Sequence, residues 1–139
     1  MKITIIGAGY VGLVTGACFS ESGHTVHVID CDPDKIAAIK AGNPPIYEQR
    51  LDELLQRNVG RSLFATSDYD SVRDSDLVFI CVGTPCRDDG CADLSMIRAA
   101  SQSIGKILAG CNDEPVVVVK STVPPGTTEC VVRPLVEDA

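Results

Sequence analysis

Lys2-Ile3-Thr4-Ile5-Ile6 runs straight into Gly7-Ala8-Gly9-Tyr10-Val11-Gly12, and the chain soon reaches Val26-His27-Val28-Ile29-Asp30. A β-branched run, a G-x-G-x-x-G turn, an apolar helical stretch and a second β-branched run ending on an acid 18 positions past Gly12 together form one βαβ unit. A bare glycine triplet is weak evidence. In this setting it has the form of a dinucleotide-binding turn. Gly7 lets the chain turn sharply out of the first strand, Gly9 leaves no side chain between backbone and a pyrophosphate, and Gly12 lets the helix sit close to the sheet. A strand-to-helix turn with no ligand would also use glycines, but it leaves the acid at the second strand end unexplained.

The helix that opens at Tyr10 and Val11 points free N–H groups at the phosphates, where its dipole favours negative charge. A carboxylate at Asp30 can accept hydrogen bonds from both hydroxyls of an adenosine ribose and would repel a 2′-phosphate, so NAD is expected rather than NADP.

A chain of 139 residues is about one domain, residues 1–139, with one core. Net charge −7 and a pI near 4.6 argue against nucleic acid or an anionic membrane as partner, since both need basic surface. An anionic cofactor must then be held mainly by backbone amides and a helix end. The uncharged stretch from Ile3 to Ser20 resembles a signal or membrane segment in length, but its glycines, Thr and Tyr fit strand, turn and helix better. With no targeting segment, a cytoplasmic protein is expected. The seven cysteines, at 18, 31, 81, 86, 91, 111 and 130, are odd in number and form no C-x-x-C pair, as suits reduced thiols. His24 and His27 lack a matching second ligand pair, so no metal is expected.

Strand and helix signals alternate to the end: strand 2–6, helix 10–22, strand 25–30, helix 33–41 with Pro33 in its first turn, and a helical Leu51, Leu54, Leu55 repeat. Then come strand 63–66, strand 76–82, helix 94–109, the apolar strand Val116 to Val119, and a last helix over 127–137. Apolar strands without alternation imply a parallel sheet buried on both faces. The expected fold is α/β, a doubly wound parallel sheet of at least five strands in the order 3-2-1-4-5 with helices on both faces.

Ligands of such sheets bind beyond the carboxyl ends of the strands, where strand order reverses. Two hydroxyl-bearing, proline-stiffened loops lie there, Val82-Gly83-Thr84-Pro85 and Lys120-Ser121-Thr122-Val123-Pro124-Pro125-Gly126-Thr127-Thr128. Generic chemistry leaves two readings of Thr84 and Ser121 open: ligand contacts, or caps of turns and helices.

These segments, with Asp30-Cys31-Asp32-Pro33-Asp34-Lys35, Pro45-Ile46-Tyr47-Glu48 and Asp89-Gly90-Cys91-Ala92-Asp93-Leu94-Ser95, resemble in order and over essentially all 139 residues the N-terminal NAD-binding Rossmann domain of the UDP-glucose/GDP-mannose 6-dehydrogenase family. The resemblance implies an enzyme that oxidises the C6 hydroxyl of a nucleotide sugar to a carboxylate with two NAD+, by way of a cysteine thioester. It also implies that Tyr10 and Val11 line the pyrophosphate, that Asp30 holds the adenosine ribose, and that Lys35 assists there. Thr84 would lie along the cofactor toward the nicotinamide, and Thr122 would position cofactor and catalytic water, the one catalytic assignment. Lys35 can equally be a solvated helix lysine, whose charge balances Asp30, Asp32 and Asp34.

The family carries Pro-Gly where this chain has Gln49-Arg50, so a different turn before Leu51 is expected. None of the seven cysteines matches the family's glycine-flanked nucleophile, and no base that could activate Cys86, near the cofactor loop, is visible. The expectation is a cofactor-binding part without the sugar-binding and catalytic-cysteine domain, inactive alone, and a homodimer when full length. Overall resemblance favours UDP-glucose as the sugar, with GDP-mannose or an N-acetylhexosamine nucleotide as alternatives. Two other readings are a stand-alone NAD(H) sensor and a β-hydroxyacid type of dehydrogenase; the motifs at Thr84 and Thr122 speak against the latter.

Overall fold

The computed structural model describes residues 1–111 and 115–139. Five strands, β1 (Lys2–Ile6), β2 (Thr25–Ile29), β3 (Leu63–Thr66), β4 (Leu77–Ile80) and β5 (Val116–Val119), form one sheet in the order β3-β2-β1-β4-β5. Every neighbouring pair is parallel, with Ile3 opposite Val26 and Leu77, and Ile6 opposite Ile29 and Ile80. This is the doubly wound order expected from the sequence.

Side chains alternate across a strand, and β1 divides accordingly. Ile3 and Ile5 face a cluster with Leu13 and Ala17 of α1 (Tyr10–Glu21), Ile36 and Ile39 of α2 (Pro33–Lys40), and Leu51 and Leu55 of α3 (Leu51–Asn58). Ile6 belongs to the opposite cluster, with Val78, Ile80, and Ile97, Ala100 and Ile104 of α4 (Ser95–Leu108). Helices therefore cover both faces, and burial on both sides accounts for the unbroken apolar strands. Asp32 opens α2 by accepting hydrogen bonds from the N–H groups of Asp34 (2.9 Å) and Lys35 (3.3 Å), with Pro33 at the position where a missing N–H costs nothing.

Two elements, β5 and the last helix, depart from the sequence reading, and a turn lies between β3 and β4 where that reading assigns no element. The crossover from β3 to β4 is a single 3-10 turn, Asp70–Asp74, which buries Val72 and needs no α-helix. The four valines of β5 lie at the edge, as the expected strand order has it, but Val116 is 60% exposed, because an apolar run alone does not fix burial on both faces. The last helix opens as a wide π turn, Thr128–Val132, before α5 (Arg133–Glu137). Pro134 has no N–H for the carbonyl four residues back, and the helical register changes beside it.

Arg50, before α3, is the one non-glycine residue with positive φ among the described residues, at 66°. An arginine is held there in the left-handed region, where glycine fits better.

Candidate functional site

The glycine turn is fixed from three sides. Gly7 (φ +106°) donates its N–H to the carbonyl of Ile29 at 2.7 Å, and a Cβ there would stand 2.6 Å from the carbonyl oxygen of Cys81. A Cβ on Gly12 would collide with the carbonyl of Gly7. Close packing of helix on sheet also involves Gly16, one turn on, whose Cβ would lie 3.1 Å from Val28 Cγ2 and 3.2 Å from Ile5 Cδ1. The sequence held that signal, since Gly12 and Gly16 are four apart and share a helix face.

Gly9 is different. Its φ of −83° and ψ of −168° are extended backbone open to any residue, and an added Cβ would meet nothing within 4 Å. The protein itself has no use for a glycine there, and the space over it is a cradle that a side chain would fill. Gly9 is also the N-cap of α1, which has no capping side chain and no acid in its first turn, so its first N–H groups are left for an anion. Tyr10 and Val11, the first two helical residues, are 58% and 46% exposed beside it.

Asp30 follows β2 directly and is buried. Its Oδ2 accepts the N–H of Ala8, inside the glycine turn, at 2.7 Å, and its Oδ1 accepts the N–H of Asp32 at 3.0 Å. Lys35 Nζ lies 3.5 Å from Oδ2 with its side chain 37% exposed, so the lysine balances this carboxylate and stays within reach of solvent. One carboxylate thus ties the glycine turn to the start of α2 while keeping acceptor capacity on Oδ1 for a hydroxyl. The tie to Ala8 was not legible in the sequence.

Thr84 and Thr122 meet on the far side of the turn. The Thr84 hydroxyl donates to the Thr122 carbonyl at 2.7 Å, and the Ser121 hydroxyl donates to the Val82 carbonyl at 2.7 Å. The loops after β4 and β5 are latched by this pair, while the Thr122 side chain is exposed. Cys81 joins the two groups of residues: its carbonyl faces Gly7, its Cβ would be 3.1 Å from a Cβ on Gly12, and Val82 follows it.

Burial pushes the Cys81 thiol up to about 11, which keeps it protonated and unsuited to nucleophilic attack. Cys86 is exposed, with its sulfur 3.4 Å from the Arg87 carbonyl. Asp93 accepts the Ser95 N–H at 2.8 Å as α4 opens, and Ser95 holds its carboxyl below the usual carboxylate range. His27 stacks on Phe64 with ring centroids 5.3 Å apart. Among the described residues no three His, Cys, Asp or Glu side chains group as a metal site, and no helix is long and apolar enough to cross a membrane.

A parallel sheet that reverses strand order between β1 and β4, with a bare glycine cradle on a helix N-terminus and an acid at the next strand end, defines a dinucleotide-binding Rossmann domain, and the cradle fits a pyrophosphate. The chain belongs to the UDP-glucose/GDP-mannose dehydrogenase family, whose NAD binding domain it matches over residues 1–139. It is 52% identical over 136 residues to a UDP-glucose 6-dehydrogenase of Rhizobium meliloti, covering 96% of this chain and 30% of that protein. It is 45% identical over 139 residues to UDP-glucose 6-dehydrogenase AglM of Haloferax volcanii, covering all of this chain and 32% of the relative. A crystal structure of a ternary complex of GDP-mannose dehydrogenase from Pseudomonas aeruginosa superposes with a TM-score of 0.94 at 44% identity, over 99% of this chain and 32% of that one. The chain spans about a third of the length of these relatives.

Proposed function

We propose that these residues are the cofactor half of a cytoplasmic, homodimeric UDP-glucose 6-dehydrogenase, which oxidises UDP-glucose to UDP-glucuronate with two NAD+. The observation that carries the cofactor site is Gly9, a glycine required by neither its backbone angles nor its neighbours, set on an uncapped helix end beside Asp30. UDP-glucose is preferred to GDP-mannose because the relative at 52% identity bears that name, against 44% identity to the GDP-mannose dehydrogenase structure.

In this reading the backbone from Gly7 to Gly12, with Tyr10 and Val11, cradles the pyrophosphate. Asp30 and Lys35 hold the adenosine ribose, and the negative charge of Asp30 disfavours a 2′-phosphate. NAD, when bound, accepts the hydride. Thr84, pinned to the Thr122 carbonyl, forms the wall on the nicotinamide side. The exposed Thr122 hydroxyl is free to orient a water, the catalytic role proposed for it.

NMR titration of backbone amides with NAD tests the site. Shifts are expected at Gly7 to Gly12, Asp30 to Lys35, Thr84 and Thr122, and shifts confined to other residues contradict it. The 139 residues alone should not reduce NAD in the presence of UDP-glucose, since positioning of the sugar and covalent catalysis are both missing. In the full-length enzyme Thr122→Ala should slow turnover far more than it weakens NAD binding. A mutant that loses stability and keeps its turnover makes Thr122 structural.

A further inference from the structure

The two faces of β2 and β3 are finished differently. Side chains alternate across a strand, and Val26, Val28, Leu63 and Ala65 are buried under α1, α2 and α3. Thr25, His27, Phe64 and Thr66 stand on the opposite face. There the connection to β4 is the short turn Asp70–Asp74, and α4 packs further along the sheet with Ile6, Val78 and Ile80. His27 and Phe64 are partners in register, and their rings stack with centroids 5.3 Å apart, yet Phe64 remains 37% exposed. Covering this pair would remove aromatic surface from water, which the helices of this chain leave undone.

The pair floors an open groove of about 520 Å³ along the turn. One wall is firm: the Ser75 hydroxyl donates to the Ser71 carbonyl at 2.8 Å, and the Thr4 hydroxyl donates to Ser71 Oγ at 3.2 Å. The rim is acidic, with Asp68, Asp70 and Asp74 against Lys2. Asp74 Oδ2 lies 3.9 Å from Lys2 Nζ, and Asp68 Oδ1 accepts the Asp70 N–H at 3.0 Å. Among the described residues no cation stands within ion-pair distance of Asp68 or Asp70. Burial and Lys2 hold the His27 imidazole below its usual 6.5, so the floor adds no positive charge at neutral pH.

We propose that this groove is a docking surface for an arginine-bearing segment of a partner polypeptide, with the guanidinium stacked on Phe64 and paired with Asp68 and Asp70. A planar guanidinium satisfies floor and rim together, since it stacks on an aromatic face while its fork of N–H groups matches carboxylates. An ammonium is a more strongly hydrated point charge and gains less from the floor. Phosphate-bearing partners, nucleic acid and phospholipid alike, meet repulsion from the rim, and a second copy of this chain brings net charge −7 to it. The groove lies on the sheet face opposite α1, so this proposal stands whether or not the glycine turn binds NAD.

The test is an NMR titration of backbone amides with three blocked tripeptides, acetyl-Gly-X-Gly-amide, in which X is arginine, lysine or citrulline, the last an uncharged mimic of arginine's shape. The arginine peptide should give saturable shifts at His27, Phe64 and Thr66 to Ser71, with lysine at least about threefold weaker and citrulline without saturation. Asp68→Asn combined with Asp70→Asn, both at exposed positions, should weaken the arginine peptide at least about fivefold, and Phe64→Leu at least about threefold. Should Phe64→Leu lower the melting temperature, the paired asparagine variant decides. No saturation, equal binding of arginine and either other peptide, or shifts confined to other acidic stretches such as Asp88 and Asp89 overturns the proposal. Shifts at the same amides on concentrating the chain alone make a second copy the occupant and overturn it as well.

Discussion

The two ends of the cleft are built differently. At the Asp30 end a buried carboxylate receives two backbone N–H groups and a lysine, so a charged group fixes the turn and remains the polar feature a ligand would meet. At the Thr84 end the latch is made of neutral hydroxyls donating to carbonyls, and the exposed surface is bare backbone and the Thr122 side chain. Charge-assisted hydrogen bonds contribute about 1.5 to 3 kcal/mol each and neutral ones about 1 kcal/mol. The first end is therefore stiff and selective for what it binds, and the second is a shaped wall.

Asp30→Ala should break the comparison most sharply. It removes the acceptor for Ala8 and for the ribose together, so NAD affinity should fall at least about tenfold and stability by about 2 kcal/mol, read by calorimetry and urea unfolding. Thr84→Val removes one neutral bond and should cost only about 1 kcal/mol of stability. A loss at Thr84 as large as that at Asp30 would erase the distinction between the ends.

Cys81, the hinge between them, makes a pH signature. Its thiol ionises near 9.0 when unfolded and near 11 when folded, so its contribution is undiminished below pH 9 and stability falls as pH rises from 9 to 11. The fall should reach up to about 2 kcal/mol in urea unfolding, and Cys81→Ala should flatten it. Arg50→Gly, outside the cleft, relieves the left-handed backbone and should stabilise by about 1 kcal/mol while leaving both ends unchanged. The smallest effect is at His27, held below its usual 6.5 by burial and by Lys2. The unfolded chain takes up that proton first, so stability should decline as pH drops below 6.5, and less so in His27→Gln.

The same two ends differ in how much the sequence disclosed. The βαβ unit, its glycines and Asp30 were readable because each residue type there answers a local demand of backbone or charge, and so was the strand order, which follows from alternating strands and helices. The tie from Asp30 to Ala8, the Thr84 and Ser121 latch and the burial of Cys81 are contacts between distant segments that no local pattern encodes. The exposure of Val116 on β5 was missed for the same reason: composition reports apolar character, and neighbours decide exposure.

The most direct measurement is a calorimetric titration of this chain with NAD and with NADP under identical salt. The account predicts saturable binding of NAD and NADP binding at least about tenfold weaker, because a carboxylate proposed to hold the adenosine ribose would repel a 2′-phosphate. NADP binding as tight as NAD, or no binding of either, would contradict it.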